Sequence, residues 1–471
     1  MASHLMGWRV SVTYFLCVCG LAAAAPDDDR VDSLPGWSGP LPTPWYSGYL
    51  SFGKKHLHYV FIESEDDSPE TPVILWMNGG PGCSSMDGLF YEQGQLLVGG
   101  PNGTLVRNPY AWTKLAHMMY LEAPVGVGYS YSDDPVDEID DNFTASDNLA
   151  ALKVFFSLFP EHKQRDFYVS GESYAGVYVP TLSLKIFEDP TVDWNMKGFI
   201  VGNGVFDWNL MQKSSIPFLY GHGAISTRMK NAIDEACSKE GNPDCASLQA
   251  DAEQRAEGLN GYDFYRSCFG AGSEDLMKNA HLLTGRRIAQ KPELLQLLAQ
   301  APRPAHPALG ENVPCIDSVA GTKWLGSAAA RAALHIKDSL PAWEICARIN
   351  YKRNMNYSAP ALYAQMMDKY RILVYNGDTD LACDYVADSW AMDMIKADVD
   401  PQADWVPWKV GPQVAGYITK YQTGPGMFFM TVKGAGHMVP QWKPVEALHM
   451  LQRFLRGDLE MRTDPASQVI V

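Results

Sequence analysis

A serine set between small residues at the end of an apolar run is the first group in this chain that could do chemistry. Phe167-Tyr168-Val169 leads into Gly171-Glu172-Ser173-Tyr174-Ala175-Gly176, and the residues that follow can form a helix. A sharp strand-to-helix turn strains its serine, needs small neighbours, and exposes the hydroxyl. Ala175 stands where the strict pattern has glycine, and it is small enough to fit. The same turn aims the Tyr174 amide at an oxyanion forming beside Ser173. Two more turns follow apolar runs later in the chain: Asn376-Gly377-Asp378-Thr379-Asp380 after Ile372-Leu373-Val374-Tyr375, and Gly434-Ala435-Gly436-His437 after Phe428 to Val432. In that order, His437 takes the Ser173 proton and an aspartate holds the imidazole in its working tautomer. Spacing leaves Asp378 and Asp380 both open as that aspartate.

A fourth element, Trp76-Met77-Asn78-Gly79-Gly80-Pro81-Gly82-Cys83-Ser84-Ser85, follows the apolar run Val73-Ile74-Leu75. Amides of consecutive glycines can approach an oxyanion because no side chain blocks them. A rival serine turn, Gly128-Tyr129-Ser130-Tyr131-Ser132, lacks the second small residue. Of the eleven histidines, His437 alone follows a strand in a glycine-rich turn late in the chain. His56 and His58 alternate along a strand, and His117, His222, His335 and His449 read as surface or core-edge residues. Together the four elements favour a nucleophilic hydrolase.

The elements that must position these groups are legible as apolar runs. His56 to Glu63, Pro72 to Met77, His117 to Leu121, Asp166 to Val169, Gly198 to Val201, Arg371 to Tyr375 and Met427 to Val432 read as buried strands. Ala145 to Phe159, after a Thr144 or Ser146 cap, and Val445 to Phe454 carry helical spacing. Strands alternating with helices imply a mostly parallel central sheet with helices on both faces. With serine, aspartate and histidine in that order at strand ends, the expected class is an α/β-hydrolase fold. From Phe206 to Leu340 the rhythm breaks into helical and irregular sequence. The expected division is therefore a signal peptide at 1–24, core at 25–205, an inserted helical cap domain at 206–340, and core again at 341–471. Within the cap, 273–312 reads as an exposed segment open to excision, and Gly285-Arg286-Arg287 is a candidate cleavage site.

Composition narrows the partners. The 471 residues include 38 Lys+Arg against 54 Asp+Glu, a net charge of −16, which disfavours nucleic acid. The 46% hydrophobic content rules out a disordered chain. Arg9, the apolar stretch Val10 to Leu21 and Ala22 to Ala25 form a secretory signal, too short for a membrane span. Cys17 and Cys19 leave with it; Cys83, Cys237, Cys245, Cys268, Cys315, Cys346 and Cys383 remain, enough for three disulfides and one thiol. Cys237 with Cys245 is the easiest local loop. No close Cys/His spacing suggests a metal site. Asn102, Asn142 and Asn356 are glycosylation acceptors by sequence.

The Trp76–Ser85 string is similar to the signature of serine carboxypeptidases. So are Gly171 to Gly176, Gly377 to Asp380, Gly436-His437-Met438-Val439-Pro440 and Leu121-Glu122-Ala123-Pro124-Val125-Gly126-Val127-Gly128-Tyr129-Ser130. The resemblance runs from about Tyr46 to Leu455. Tyr46-Ser47-Gly48-Tyr49-Leu50, Lys55-His56-Leu57-His58-Tyr59 and the string ending at Cys383 draw it towards the animal lysosomal branch. It implies Ser173 as nucleophile, His437 as base and then acid, and Asp380 as the orienting aspartate. It implies the Gly80 and Tyr174 amides as oxyanion hole. It also implies Asn78, the Gly79 amide and Glu172 as the seat of a substrate carboxylate, with Glu92 paired to Glu172. Two close carboxyls resist ionising together, so a shared proton would let Glu172 donate to that carboxylate. The implied bridges are Cys83–Cys346, Cys237–Cys245 and Cys268–Cys315, with Cys383 free.

The expectation is a lysosomal serine carboxypeptidase that releases C-terminal residues from peptides with a free carboxylate. It would work at acidic pH, favour hydrophobic residues, and need no metal or other cofactor. Two other readings accompany it: an acyltransferase or esterase on the same fold, and an added non-catalytic role protecting a lysosomal glycosidase or sialidase. A homodimer is a further expectation from the resemblance.

Overall fold

The computed structural model describes residues 26–66, 68–99, 103–239, 241–268 and 315–459. The signal peptide at 1–24, the acceptor Asn102 and the segment 273–312 lie outside these described residues.

The apolar runs form the middle of one large sheet. His117–Leu121, Val73–Met77, Asp166–Ser173, Asn195–Gly204, Arg371–Gly377 and Met427–Val432 lie side by side in that order, all parallel. Parallel strands covered on both faces can be apolar throughout. Every residue of Val73–Met77, His117–Leu121 and Met427–Val432 is accordingly buried. Successive side chains point to opposite faces. Leu75, Phe167 and Val169 meet the helices Asp141–Leu158 and Ala175–Glu188 on one face. Ile74, Trp76 and Tyr168 join the helix Pro444–Arg456 on the other. The expected α/β-hydrolase architecture is present.

Antiparallel strands extend both edges. Trp45–Phe52 pairs with Lys55–Ile62 at one edge, and Val406–Val410 pairs with Gln413–Tyr421 at the other. The sequence reading missed the first strand of one hairpin and both strands of the other. Gly48, Pro407 and Gly416 interrupt those runs, and partial exposure dilutes their apolar pattern. The helix Asp141–Leu158 starts earlier than its periodicity suggests. Its cap is Asp140, whose carboxylate accepts from the Phe143 amide at 2.7 Å, rather than Thr144 or Ser146. Thr144 and Ser146 are already inside the helix and donate back to the carbonyls of Asp140 and Asn142.

Between Gly204 and Arg371 the chain leaves the sheet. Helices Trp208–Gly221, Thr227–Cys237 and Pro243–Gln254 share a small apolar cluster of their own around Ile216, Phe218 and Phe264. Helices Val319–Leu325 and Ala328–Ala333 instead pack Trp324, Leu325 and Leu334 into the main core. Disulfides join Cys237 to Cys245, Cys268 to Cys315, and Cys83 to Cys346. Asn142 and Asn356 are both exposed.

Phe155 anchors the longer helix, with its ring 5.1 Å from Phe61, 5.2 Å from Phe156 and 4.8 Å from Phe159. It is fully buried, so Phe155→Ala should cost about 3–5 kcal/mol of stability. A shift of the urea midpoint at unchanged slope would register that loss.

Candidate active site

The Ser173 turn is built from missing side chains. Ser173 ends the strand Asp166–Ser173 with φ +64°, and the helix begins at Ala175. A non-glycine residue with positive φ is strained and is held by its surroundings. Those surroundings are tight. A Cβ on Gly171 would sit 2.3 Å from the Met77 carbonyl oxygen, and one on Gly176 would sit 2.4 Å from the Val205 nitrogen. The smallness read from the motif is thus a packing requirement.

Asp380 follows the strand Arg371–Gly377, two places along the sheet from the Ser173 strand, and His437 follows the next strand, Met427–Val432. His437 Nδ1 and Asp380 Oδ2 are 2.7 Å apart, both buried. With Nδ1–H donated to the carboxylate, Nε2 is left as the proton acceptor. Asp380 Oδ2 also accepts from Asn203 Nδ2 at 2.9 Å, and Oδ1 accepts from the Ala382 amide at 2.9 Å. Asp378, the alternative that spacing left open, turns away and accepts from the Gly434 amide at 2.6 Å. The His437 amide donates to the Tyr262 carbonyl at 2.7 Å, which pins the turn. A Cβ on Gly436 would meet that same carbonyl at 2.2 Å.

The glycine-rich loop presses against the serine turn. A Cβ on Gly79 would lie 2.2 Å from the Tyr174 nitrogen and 2.8 Å from the Ser173 Cβ. Gly80 turns with φ +106°, and the Cys83–Cys346 bridge fastens the loop just beyond. Gly79, Gly80, Ser173, Tyr174 and His437 all line one cleft. Cys383 lines it too, buried, with its amide 3.3 Å from Asp380 Oδ2 and its thiol pushed well up by burial.

Beside the nucleophile lies a group of buried carboxyls. Asn78 Nδ2 donates to Glu172 Oε1 at 3.1 Å and to Glu92 Oε1 at 3.3 Å. Asn78 Oδ1 in turn accepts from Trp76 Nε1 and the Gly88 amide, which fixes the orientation of its amide group. Asp87, Glu92 and Glu172 offer oxygens within 4.8 Å of one another. Burial is the main cause that pushes all three towards the protonated form. Asp87 rises to about 7 and Glu92 to about 8, while Glu172 rises well above its ordinary value, with Glu92 and Asp87 adding repulsion. Two carboxylates this close in a dry site repel each other, which favours a proton on at least one of Glu92 and Glu172. Three carboxylates so placed could ligate a hard cation. The Asn78 amide already occupies an oxygen on two of them, and desolvation of all three favours the protonated arrangement instead.

Four supporting residues were not picked out from the sequence. Asn203 sits in a Gly-Asn-Gly string at the end of the strand Asn195–Gly204, with φ +42°, and that string could have flagged it. Asp87 carries no local signal, because only the fold brings it to Glu92 and Glu172. Tyr262 and Arg353 come from irregular sequence far from every motif.

A family model described as serine carboxypeptidase matches residues 35–457. The chain is 37% identical to the lysosomal protective protein of Mus musculus, over 92% of this chain and 95% of that protein. It is 35% identical to serine carboxypeptidase 1 of Hordeum vulgare, over 92% and 94% of the two chains. A prohormone-processing carboxypeptidase from Saccharomyces cerevisiae shares the fold, at TM-score 0.69, 20% identity, and 94% and 98% coverage. The chain belongs to the serine carboxypeptidase family.

Proposed function

We propose that this serine carboxypeptidase removes single residues from the free C-terminus of peptides through an acyl-enzyme on Ser173, working best in acid. One observation carries the reading: the Asn78 amide and proton-holding carboxyls lie on the cleft wall beside the nucleophile. A protonated Glu172 donates to a carboxylate, and an ionised one repels it.

The steps follow from the groups in place. The terminal carboxylate docks on Asn78, the Gly79 amide and protonated Glu172, which sets the last peptide bond over Ser173. Ser173 Oγ attacks the carbonyl carbon while His437 Nε2 takes the hydroxyl proton. The developing oxyanion meets the amides of Gly80 and Tyr174, and Asp380 stabilises the imidazolium. His437 then protonates the leaving amine as the C–N bond breaks. Water, deprotonated by His437, attacks the acyl carbon and releases Ser173. The intact Asn78–Glu172 pair favours peptide hydrolysis over acyl transfer to another acceptor. Residues 206–340 are proposed to act as the cap over this cleft, which Trp208, Met211 and Tyr262 help to line.

Among the described residues no helix is long and apolar enough to cross a membrane. Likeness to the mouse lysosomal protective protein supports passage through the secretory route to the lysosome. A role as partner of a lysosomal glycosidase or sialidase is proposed on the same ground.

At pH 5, a free-acid peptide should lose C-terminal residues stepwise while its amidated twin stays intact. Equal cleavage of the twin would overturn the reading. Ser173→Ala should lower kcat by about 10⁶-fold, and Asp380→Asn by about 10⁴-fold. Asp378→Asn should fall short of about tenfold, since its carboxylate only accepts from a backbone amide.

The raised carboxyl values set the sign of the pH dependence. Protons on Asp87 and Glu92 are held up to about 7 and about 8, so KM should climb as pH rises through that range. Glu172→Gln keeps a donor at every pH and should flatten that climb. Because these folded-state values lie above the unfolded ones, their stabilising effect is complete below about pH 4 and is lost as pH rises towards 8. The melting temperature of the wild-type protein should therefore fall between pH 5 and pH 8. Glu92→Gln should show a smaller fall.

A further inference from the structure

Among the described residues, one cation in the substrate cleft has no carboxylate partner. Arg353 lines the same cleft as Ser173 and His437, half-buried, and donates Nη2 to the Gly80 carbonyl at 3.3 Å. Its guanidinium lies 5.6 Å from the centre of the Tyr174 ring. Both contacts are with residues whose amides face the reacting carbonyl in the proposed mechanism. A guanidinium has five N–H donors, and this one gives a single hydrogen bond among the described residues. No described carboxylate lies within ion-pair distance of it.

The neighbouring backbone is fixed rather than loose. Tyr351–Lys352 pairs as a short strand with Ile139–Asp140. Tyr351 Oη donates to Asp141 Oδ1 at 2.8 Å, and the Asn354 amide donates to Asp141 Oδ2 at 3.3 Å. Trp208 Nε1 holds the Asn354 carbonyl at 3.1 Å. Asp141 is the acid in this network, and its oxygens accept from Tyr174, Tyr351 and Asn354. Arg353 is therefore presented to the cleft with donors to spare, at little further ordering cost. Much of the remaining lining is apolar, including Val205, Met211, Ile345 and Met438. In such surroundings a charge-assisted, two-pronged hydrogen bond is worth more than in water.

We propose that Arg353 selects an acidic side chain on the residue immediately before the scissile bond, the one that remains on Ser173 as the acyl group. This rests on the carboxypeptidase reading, in which the leaving residue's own carboxylate is taken by Asn78 and Glu172. Those two stand with Trp76 and Gly88, whereas Arg353 belongs to the wall built on Asp141. The two carboxylates of one substrate thus have separate seats. A basic residue in the acyl position meets the guanidinium as a like charge and is disfavoured.

The test compares kcat/KM for N-blocked Glu-Phe, Gln-Phe and Lys-Phe at pH 5.5, where the glutamate side chain is mostly ionised. The wild-type enzyme should prefer Glu-Phe to Gln-Phe by about tenfold and cut Lys-Phe slowest. Arg353→Gln should bring the Glu/Gln ratio close to one, and Arg353→Lys should restore part of it. The ratio reads specificity even if a variant is slower on every substrate. A wild-type ratio of one, with all three dipeptides cut, would overturn the inference and leave the carboxypeptidase standing. No cutting of any of them would sink the carboxypeptidase reading itself. A series with Phe-Glu and Phe-Gln gives the remaining arm: an Arg353-dependent preference there, and none in the acyl position, would overturn the assignment to the acyl side.

Discussion

The site depends on the close approach of two pieces of backbone. The loop through Gly79 and Gly80 lies so near the Ser173 turn that a single added carbon on Gly79 would overlap the Tyr174 nitrogen. That contact holds the glycine-rich loop against the Tyr174 amide and Ser173, and the surrounding residues serve to keep it. Gly171 and Gly176 let the turn sink against the adjacent strands, Asn203 props Asp380 behind His437, and Cys83–Cys346 anchors the loop from outside. Strain at Ser173 persists because packing on every side fixes it.

A second constraint is dielectric. Asp87, Glu92 and Glu172 have been taken out of water, and a carboxyl so placed keeps its proton. Residues that would be acceptors on the surface become donors in the cleft. The wall of Asn78 and Glu172 and the wall of Arg353 can therefore both receive anions by different means, one with neutral donors and the other with a fixed charge.

Much of this was legible in the sequence where chemistry demands a local pattern. The serine turn, the glycine-rich loop and the His437 turn each need small residues at fixed spacing, so they could be read directly. The six parallel strands were legible because burial on both faces leaves little polar alternation along them. Asp380 and Asp378 could not be separated by spacing, since both follow the same strand and only the direction of the side chain differs. Asp87 and Tyr262 stayed hidden because their roles arise from tertiary approach. The edge hairpin at Val406–Tyr421 stayed hidden because its exposed face mixes polar residues, proline and glycine into the pattern.

The Cys83–Cys346 bridge spans 263 residues of sequence, and the partners of Ser173 arrive later still. A chain emerging from the ribosome presents its nucleophile long before Asp380 and His437 exist, and with its oxyanion loop untethered. Domains assemble as their chain becomes available, so the order of synthesis separates the reactive serine from everything that would arm it. Connectivity alone thus keeps the growing polypeptide inert towards its neighbours until His437 has been made.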